Sequence, residues 1–148
     1  MRFTNMAALV LALALGGCNS SPQPKPGDVP VFDGIGEEEV VRLSGTEPFW
    51  SATIQGDVLT YSTPENIDGD AVAVTRFAGN GGLGFSGELG GKPLQVAVTP
   101  GTCNDGMSDR TYPFTATLTL GEAILFGCGY SDSNPYSEPD MGPDSGDE

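Results

Sequence analysis

The feature that most constrains this chain is a period-two alternation of apolar and polar side chains. From Phe114 to Leu120 every even-numbered position is apolar and every odd-numbered position is threonine. Such alternation is typical of β-strands that have one buried face and one face in water. It recurs at Trp50, Ala52 and Ile54, at Val72 and Val74, at Leu94, Val96 and Val98, and at Ile124 and Phe126. No segment carries a helical pattern of useful length, so the sequence predicts an all-β fold.

Glycine-containing turns separate the alternating segments, at Gly56-Asp57, 79–82, Gly90-Gly91 and Gly121-Glu122. Short strands joined by tight turns indicate antiparallel hairpins. We therefore predict a small antiparallel barrel or sandwich of about eight strands. The predicted strands lie near residues 40–45, 49–55, 57–63, 70–78, 83–89, 93–99, 111–120 and 122–129.

The N-terminus has the organisation of a bacterial lipoprotein signal peptide, predicted over residues 1–17. Arg2 supplies a positive charge. The apolar run 7–15 is too short for a membrane-spanning helix, which needs about 20 apolar residues. Leu15-Gly16-Gly17-Cys18 then resembles a lipobox, in which small residues admit the peptidase and the thiol accepts a diacylglyceryl group. The alternative is an ordinary signal peptide that happens to contain a cysteine.

Lipidation of Cys18 predicts a location and a partner. Acyl chains on this residue would anchor the chain to a membrane, with the rest of the protein facing the periplasm. By resemblance to the sorting of enteric lipoproteins, Asn19 in place of aspartate favours the outer membrane. Residues 18–39 are predicted to be the lipidated cysteine and a flexible proline-rich linker, 40–130 the β-domain, and 131–148 a disordered acidic tail.

Charge narrows the classes of partner. The chain has 20 acidic and 6 basic side chains, with a formal net charge of −14 at pH 7. It has no basic stripe to meet phosphates, so nucleic acid is excluded as a partner. A basic periplasmic protein suits this charge, and a small ligand in the mouth of a barrel is compatible with the fold.

Cys103 and Cys128 remain once Cys18 carries lipid, and two cysteines in an exported domain predict one disulfide. A redox or metal-binding pair is the alternative, but the spacing is wrong for a CxxC motif. The chain has no histidine, which makes a zinc site improbable. We therefore expect neither a metal site nor a cofactor.

Two segments interrupt the strand pattern and contain the candidate site residues. The first, 45–50, combines Glu47 with the only tryptophan, Trp50. The second, 103–110, is a dense polar loop held by the predicted disulfide. Its candidate residues are Asp105, Ser108, Asp109 and Arg110. Polar residues on a rigid loop are a common way for a scaffold to present a binding site.

Each candidate also has a purely structural interpretation. Trp50 is a natural core anchor, because burial of its ring is strongly favourable. Arg110 can form an ion pair with Glu47, Asp105 or Asp109 and hold the loop without any ligand. Asp105 precedes glycine, and Asp-Gly is a good turn dipeptide. The sequence leaves open whether 103–110 is a site or an internal strut.

The motifs around these residues resemble those of a family of small bacterial envelope lipoproteins. Gly-Thr-Glu-Pro-Phe-Trp at 45–50, Cys-Asn-Asp-Gly-Met-Ser-Asp-Arg at 103–110 and Gly-Cys-Gly at 127–129 match the family's GTEPFW-like, CSDGMSDR-like and GCA-like segments. The chain departs from the pattern at Asn104 and Gly129. Some members are grouped with META and lysozyme-inhibitor-like lipoproteins. The resemblance implies a small β-barrel and an envelope role, but no particular activity.

Three functions are compatible with these features. The favoured one is a lipid-anchored, non-catalytic binding or inhibitory module, whose loop with Ser108 and Arg110 contacts a basic enzyme such as lysozyme or a small ligand. The alternative is a structural or stress-related envelope lipoprotein, which would have no cleft and a wholly internal motif. A hydrolase using Asp105 and Asp109 is least favoured, because without histidine the usual serine and cysteine dyads lack their base.

Overall fold

The computed structural model describes residues 30–139, which form a closed barrel of eight antiparallel strands and contain one disulfide. Each strand pairs with its neighbours in sequence, and the first pairs with the last. The all-β prediction is confirmed, in its barrel form. The strands are β1 (Val41–Thr46), β2 (Phe49–Gln55), β3 (Val58–Thr63), β4 (Asn66–Ala78), β5 (Leu83–Leu89), β6 (Lys92–Cys103), β7 (Tyr112–Leu120) and β8 (Ala123–Ser131).

The barrel interior is filled by the apolar members of the alternating segments. Leu59, Leu94, Val98 and Leu118 are completely buried there. Removal of one such side chain from water contributes about 1.5–3 kcal/mol, so the alternation dictates which face of each strand turns inward. The threonines of β7 consequently lie on the outer side of the wall.

Residues 30–39 cover one end of the barrel, which corrects the prediction that they belong to a flexible linker. Ile35 is 2% exposed and belongs to the core. Phe32 packs edge-on against Phe114, with ring centroids 6.4 Å apart, and Arg76 donates a hydrogen bond to the Ile35 carbonyl at 2.8 Å. The sequence does not predict burial of Phe32 and Ile35, because two apolar side chains show no periodicity. Their burial depends on the end of the barrel that they cover.

Residues 131–139 also pack on the barrel, which corrects the prediction that they belong to a disordered tail. Strand β8 continues to Ser131, which is buried. The Tyr136 ring then lies 5.6 Å from the Tyr112 ring and 5.0 Å from the Tyr130 ring. The acidic, proline-containing composition of this segment predicts disorder. Its one aromatic residue, Tyr136, nevertheless packs on the barrel because Tyr112 of β7 and Tyr130 of β8 lie beside it.

Several predictions fall outside the described residues. These are the signal peptide 1–17, Cys18 with its lipid, the linker residues 19–29 and the tail residues 140–148. Lipidation and membrane anchoring therefore remain predictions. Between residues 30 and 139 there is no helix with the length and hydropathy that a membrane crossing requires.

Candidate functional site

Trp50 lies inside the barrel and serves as a core anchor. It is 4% exposed, and its indole N–H donates to the Phe126 carbonyl at 3.2 Å. The indole fits because Gly45 and Gly127 have no side chains. A Cβ on Gly45 would overlap the indole, and a Cβ on Gly127 would lie 2.9 Å from it. The first and third sequence motifs therefore form one packing unit.

The predicted disulfide between Cys103 and Cys128 is present, with Cα atoms 5.5 Å apart. Cys128 lies between Thr115 of β7 and Ser44 of β1 in the register of the sheet. Strand β6 pairs with β7 as far as Cys103, with a register shift in its last residues. The bond thus ties the polar loop that follows β6 to the wall of the barrel at β8.

Asp105 is the hydrogen-bonding centre of that loop. Its Oδ1 accepts from the backbone N–H groups of Ser108 at 2.7 Å and Met107 at 2.9 Å. Its Oδ2 accepts from the Ser108 hydroxyl at 2.9 Å and the Tyr112 hydroxyl at 3.1 Å. Because these donors favour the charged form, the N–H of Ser108 most of all, the pKa of Asp105 is lowered to about 2.

We expect Asp105→Asn to remove an acid-sensitive part of the stability. The pKa of Asp105 falls from 3.8 to about 2, so its charged form stabilises the fold above about pH 4. That contribution is lost as the pH falls toward about 2, where the carboxyl group protonates in the folded state. Denaturant unfolding across this range should show wild type and variant converging at acid pH. A difference independent of pH would contradict this role.

Arg110 pairs with Glu138 of the C-terminal segment, a partner that the sequence did not suggest. The Nε–Oε1 distance is 3.0 Å, and the guanidinium lies 4.3 Å from the centre of the Tyr136 ring. Within residues 30–139, Arg110 forms no ion pair with its predicted partners Glu47, Asp105 and Asp109. Glu138 could not be anticipated because it lies in the segment predicted to be disordered.

Asn104 and Ser108 are also used internally, whereas Asp109 is exposed and its side chain forms no hydrogen bond or ion pair within residues 30–139. The Asn104 amide donates to the Arg110 carbonyl at 3.2 Å and accepts from the Gly106 N–H at 2.7 Å. The Ser108 hydroxyl bonds Asp105 and accepts from the Arg110 N–H at 3.3 Å. Loop 103–110 is therefore an internally braced strut. Asn104 could have been found from its sequence, because asparagine two residues before a glycine is typical of an Asx turn.

A groove of about 640 Å³ lies between this strut and the barrel wall. Asn104 and Asp105 line it from the loop, Glu47 from the turn between β1 and β2, and Thr117 and Phe126 from the wall. Glu47 is exposed, and the described part of the chain offers it no ion pair. The structure thus brings Glu47 and Asp105 to one groove, while Trp50 lies in the core.

No basic residue lines the groove. Each arginine of residues 30–139 has a carboxylate nearby elsewhere: Arg42 with Asp132 at 2.6 Å, Arg76 with Glu37 at 4.0 Å, and Arg110 with Glu138 at 3.0 Å. The carboxylates of the groove are therefore not neutralised by the protein itself.

Nothing in the described range resembles a metal centre, since no three cysteine or carboxylate side chains there are arranged to hold an ion. Comparison of the chain with protein-family models, with curated proteins and with solved structures finds no match. The resemblance of its motifs to those of envelope lipoproteins therefore remains an expectation.

Proposed function

We propose that this protein is a lipid-anchored, non-catalytic binding module of the cell envelope that holds a basic segment of a partner protein in the groove beside loop 103–110. The observation that carries the proposal is the unneutralised acidity of that groove. Glu47 is exposed at one end, and Asp105, with a pKa of about 2, is charged at neutral pH. A cationic side chain entering the groove would be attracted by both charges and could contact the exposed Glu47 carboxylate, because the oxygens of Asp105 already accept hydrogen bonds within the loop.

The charge of the whole chain supports the same class of partner. A formal net charge of −14 attracts cationic proteins at long range and raises their association rate. Within residues 30–139 each arginine already has a carboxylate nearby. The other carboxylates therefore make the electrostatic potential at the surface negative. An anionic partner would be repelled from the groove.

The sequence predicted that loop 103–110 contacts the partner through Ser108 and Arg110, but in this proposal those two residues do not. Ser108 and Arg110 are bonded to the protein's own groups, so they brace the loop instead of contacting the partner. The loop residues that line the groove include Asn104 and Asp105. Their internal use is also the observation that favours the second candidate, a structural envelope lipoprotein. That candidate predicts no cleft, whereas the groove supports binding.

The chemistry of Asp105 favours binding over hydrolysis. A general acid in a carboxylate pair needs a raised pKa so that it holds a proton near neutral pH. The pKa of Asp105 is lowered, and both of its oxygens already accept hydrogen bonds. The carboxylate is thus suited to holding the loop and to attracting a cation.

Glu47→Gln should weaken binding of lysozyme or an arginine-rich peptide to residues 19–148 by about two- to fivefold, the effect expected from loss of one exposed ion pair. The effect should shrink as salt rises, because salt screens exposed charges. Surface-immobilised protein titrated at low and high salt provides the measurement.

Two controls make this test specific. Glu88→Gln removes the same charge from β5, away from the groove, and should leave affinity nearly unchanged. Arg110→Ala should lower stability slightly, since its ion pair is exposed, without abolishing binding. Equal losses of affinity in the Glu47 and Glu88 variants would show that net charge alone causes the effect, and would reject the groove as the binding site. No binding by wild type to either basic probe would favour the structural candidate.

A further inference from the structure

The outer wall of the barrel from β4 to β8 is almost free of charge. We consider the described strand residues between Ala71 and Phe126 whose side chains face outward. Glu88, near the end of β5, is the only ionisable residue among them. The acidic residues lie instead in the turns, at the barrel ends and in the terminal segments. On a chain with a formal net charge of −14, this neutral wall is a distinct surface.

One row of residues crosses the neutral wall in register. Phe77 lies opposite Gly84, Gly84 opposite Ala97, Ala97 opposite Thr117, and Thr117 opposite Phe126. The two phenylalanines are 70% and 69% exposed. With about 4.8 Å between neighbouring strands, the row spans about 19 Å. It is thus a floor of small side chains between two exposed aromatic rings.

The adjacent row supplies hydrogen-bonding groups. Thr75, Ser86, Gln95 and Thr119 lie opposite one another in the same register. Together with the first row from Phe77 to Thr117 they border a shallow depression of about 330 Å³, and Phe126 lies beyond it at the end of that row. In the part of the chain that the structure describes, none of these four side chains forms a hydrogen bond with the protein. Their hydroxyl and amide groups are available to an external ligand.

We propose that the neutral wall binds an uncharged glycan chain. The hydroxyl and amide row can exchange hydrogen bonds with sugar hydroxyls, and the negative ring faces of Phe77 and Phe126 attract the positively polarised C–H face of a sugar ring. The lack of charge matches a neutral ligand, which gains nothing from ion pairs and loses nothing to the acidic surroundings. An anionic glycan would be repelled by the net charge.

The composition of the wall distinguishes this ligand from a protein partner or a second copy of the chain. Protein interfaces are enriched in aromatic residues, phenylalanine included, and in methionine and arginine, and they are depleted in serine and alanine. The wall between the two phenylalanines consists of glycine, alanine, serine, threonine and glutamine. Two copies would also bring together equal negative charges. This depression is separate from the acidic groove, although Thr117 lines both.

The test is a titration of residues 19–148, followed by calorimetry and by backbone amide NMR shifts, with chitohexaose, cellohexaose and maltohexaose at millimolar concentration. At least one neutral hexasaccharide should bind and shift the amides of β5 to β7. Phe77→Ala should weaken binding by about three- to tenfold, the usual value of one aromatic stacking contact. Phe49→Ala, which removes an exposed ring from β2, should leave it unchanged.

Several outcomes would overturn the proposal. The proposal fails if none of the three glycans binds, or if Phe77→Ala leaves glycan binding unaffected. It also fails if polygalacturonate binds more tightly than the neutral glycans. A concentration-dependent dimer that Phe77→Ala abolishes would assign the wall to a second copy instead. Because Glu47→Gln changes only the groove, glycan binding that survives this substitution separates the present proposal from the binding of a basic partner.

Discussion

Trp50→Ala should lower the free energy of unfolding by about 4 kcal/mol, within the range measured for removal of a buried tryptophan or phenylalanine. The substitution leaves a cavity that the surrounding wall cannot fill, because Gly45 and Gly127 contribute no side chains there. It also leaves the Phe126 carbonyl without its indole donor. Equilibrium unfolding in denaturant, followed by far-ultraviolet circular dichroism, provides the measurement.

Two variants show whether packing is the cause. Trp50→Phe keeps an aromatic ring but loses the hydrogen bond to Phe126, so its cost should be smaller than that of the alanine variant. Phe49→Ala removes the neighbouring ring, which is 52% exposed, and should change stability by less than about 0.5 kcal/mol. A small loss in Trp50→Ala, equal to that in Phe49→Ala, would contradict the role of the indole as a core anchor packed against Gly45 and Gly127.

Removal of the disulfide, by the double substitution Cys103→Ser and Cys128→Ser, should lower the free energy of unfolding by about 3.5 kcal/mol. The bond joins residues 25 apart, and the chain-entropy estimate for a loop of that length gives this value. The loss should extend to function, because the bond holds loop 103–110 beside the groove. Chemical unfolding and binding of a basic probe measure the two effects separately.

Reduction of the wild-type bond offers an independent check on the same quantity. Reduced wild type and the double serine variant should unfold at nearly the same denaturant concentration, since both lack the cross-link. Limited proteolysis should then cut within loop 103–110 before it cuts the barrel strands. Identical midpoints for oxidised and reduced wild type would show that the bond adds no stability, and would remove its role as the anchor of the groove.

The functional proposals divide the surface of the protein into two parts with different chemistry. The groove at Glu47 is acidic and suits a cationic protein segment, whereas the neutral wall at Phe77 suits an uncharged glycan. Both surfaces lie on the same closed barrel. A ligand at one site would therefore have a fixed orientation relative to a ligand at the other.

The sequence by itself determined the fold class, the positions of the strands and the pairing of the cysteines. These features depend on local rules. A strand with one buried face needs period-two alternation, as at 114–120, and a tight turn tolerates glycine where φ is positive, as at Gly56 and Gly121. The disulfide could be predicted because Cys103 and Cys128 were the two cysteines left after assignment of Cys18 to lipid.

Only the tertiary structure decided what the polar residues do and showed that residues 30–39 and 131–139 pack on the barrel. Arg110 meets Glu138, and Ile35 enters the core, because closure of the barrel brings segments that are far apart in sequence to the same place. Composition cannot reveal such contacts, since a proline-rich or acidic segment becomes ordered only when a partner surface is present. The groove beside Glu47 arises in the same way, from the disulfide that places loop 103–110 against β8.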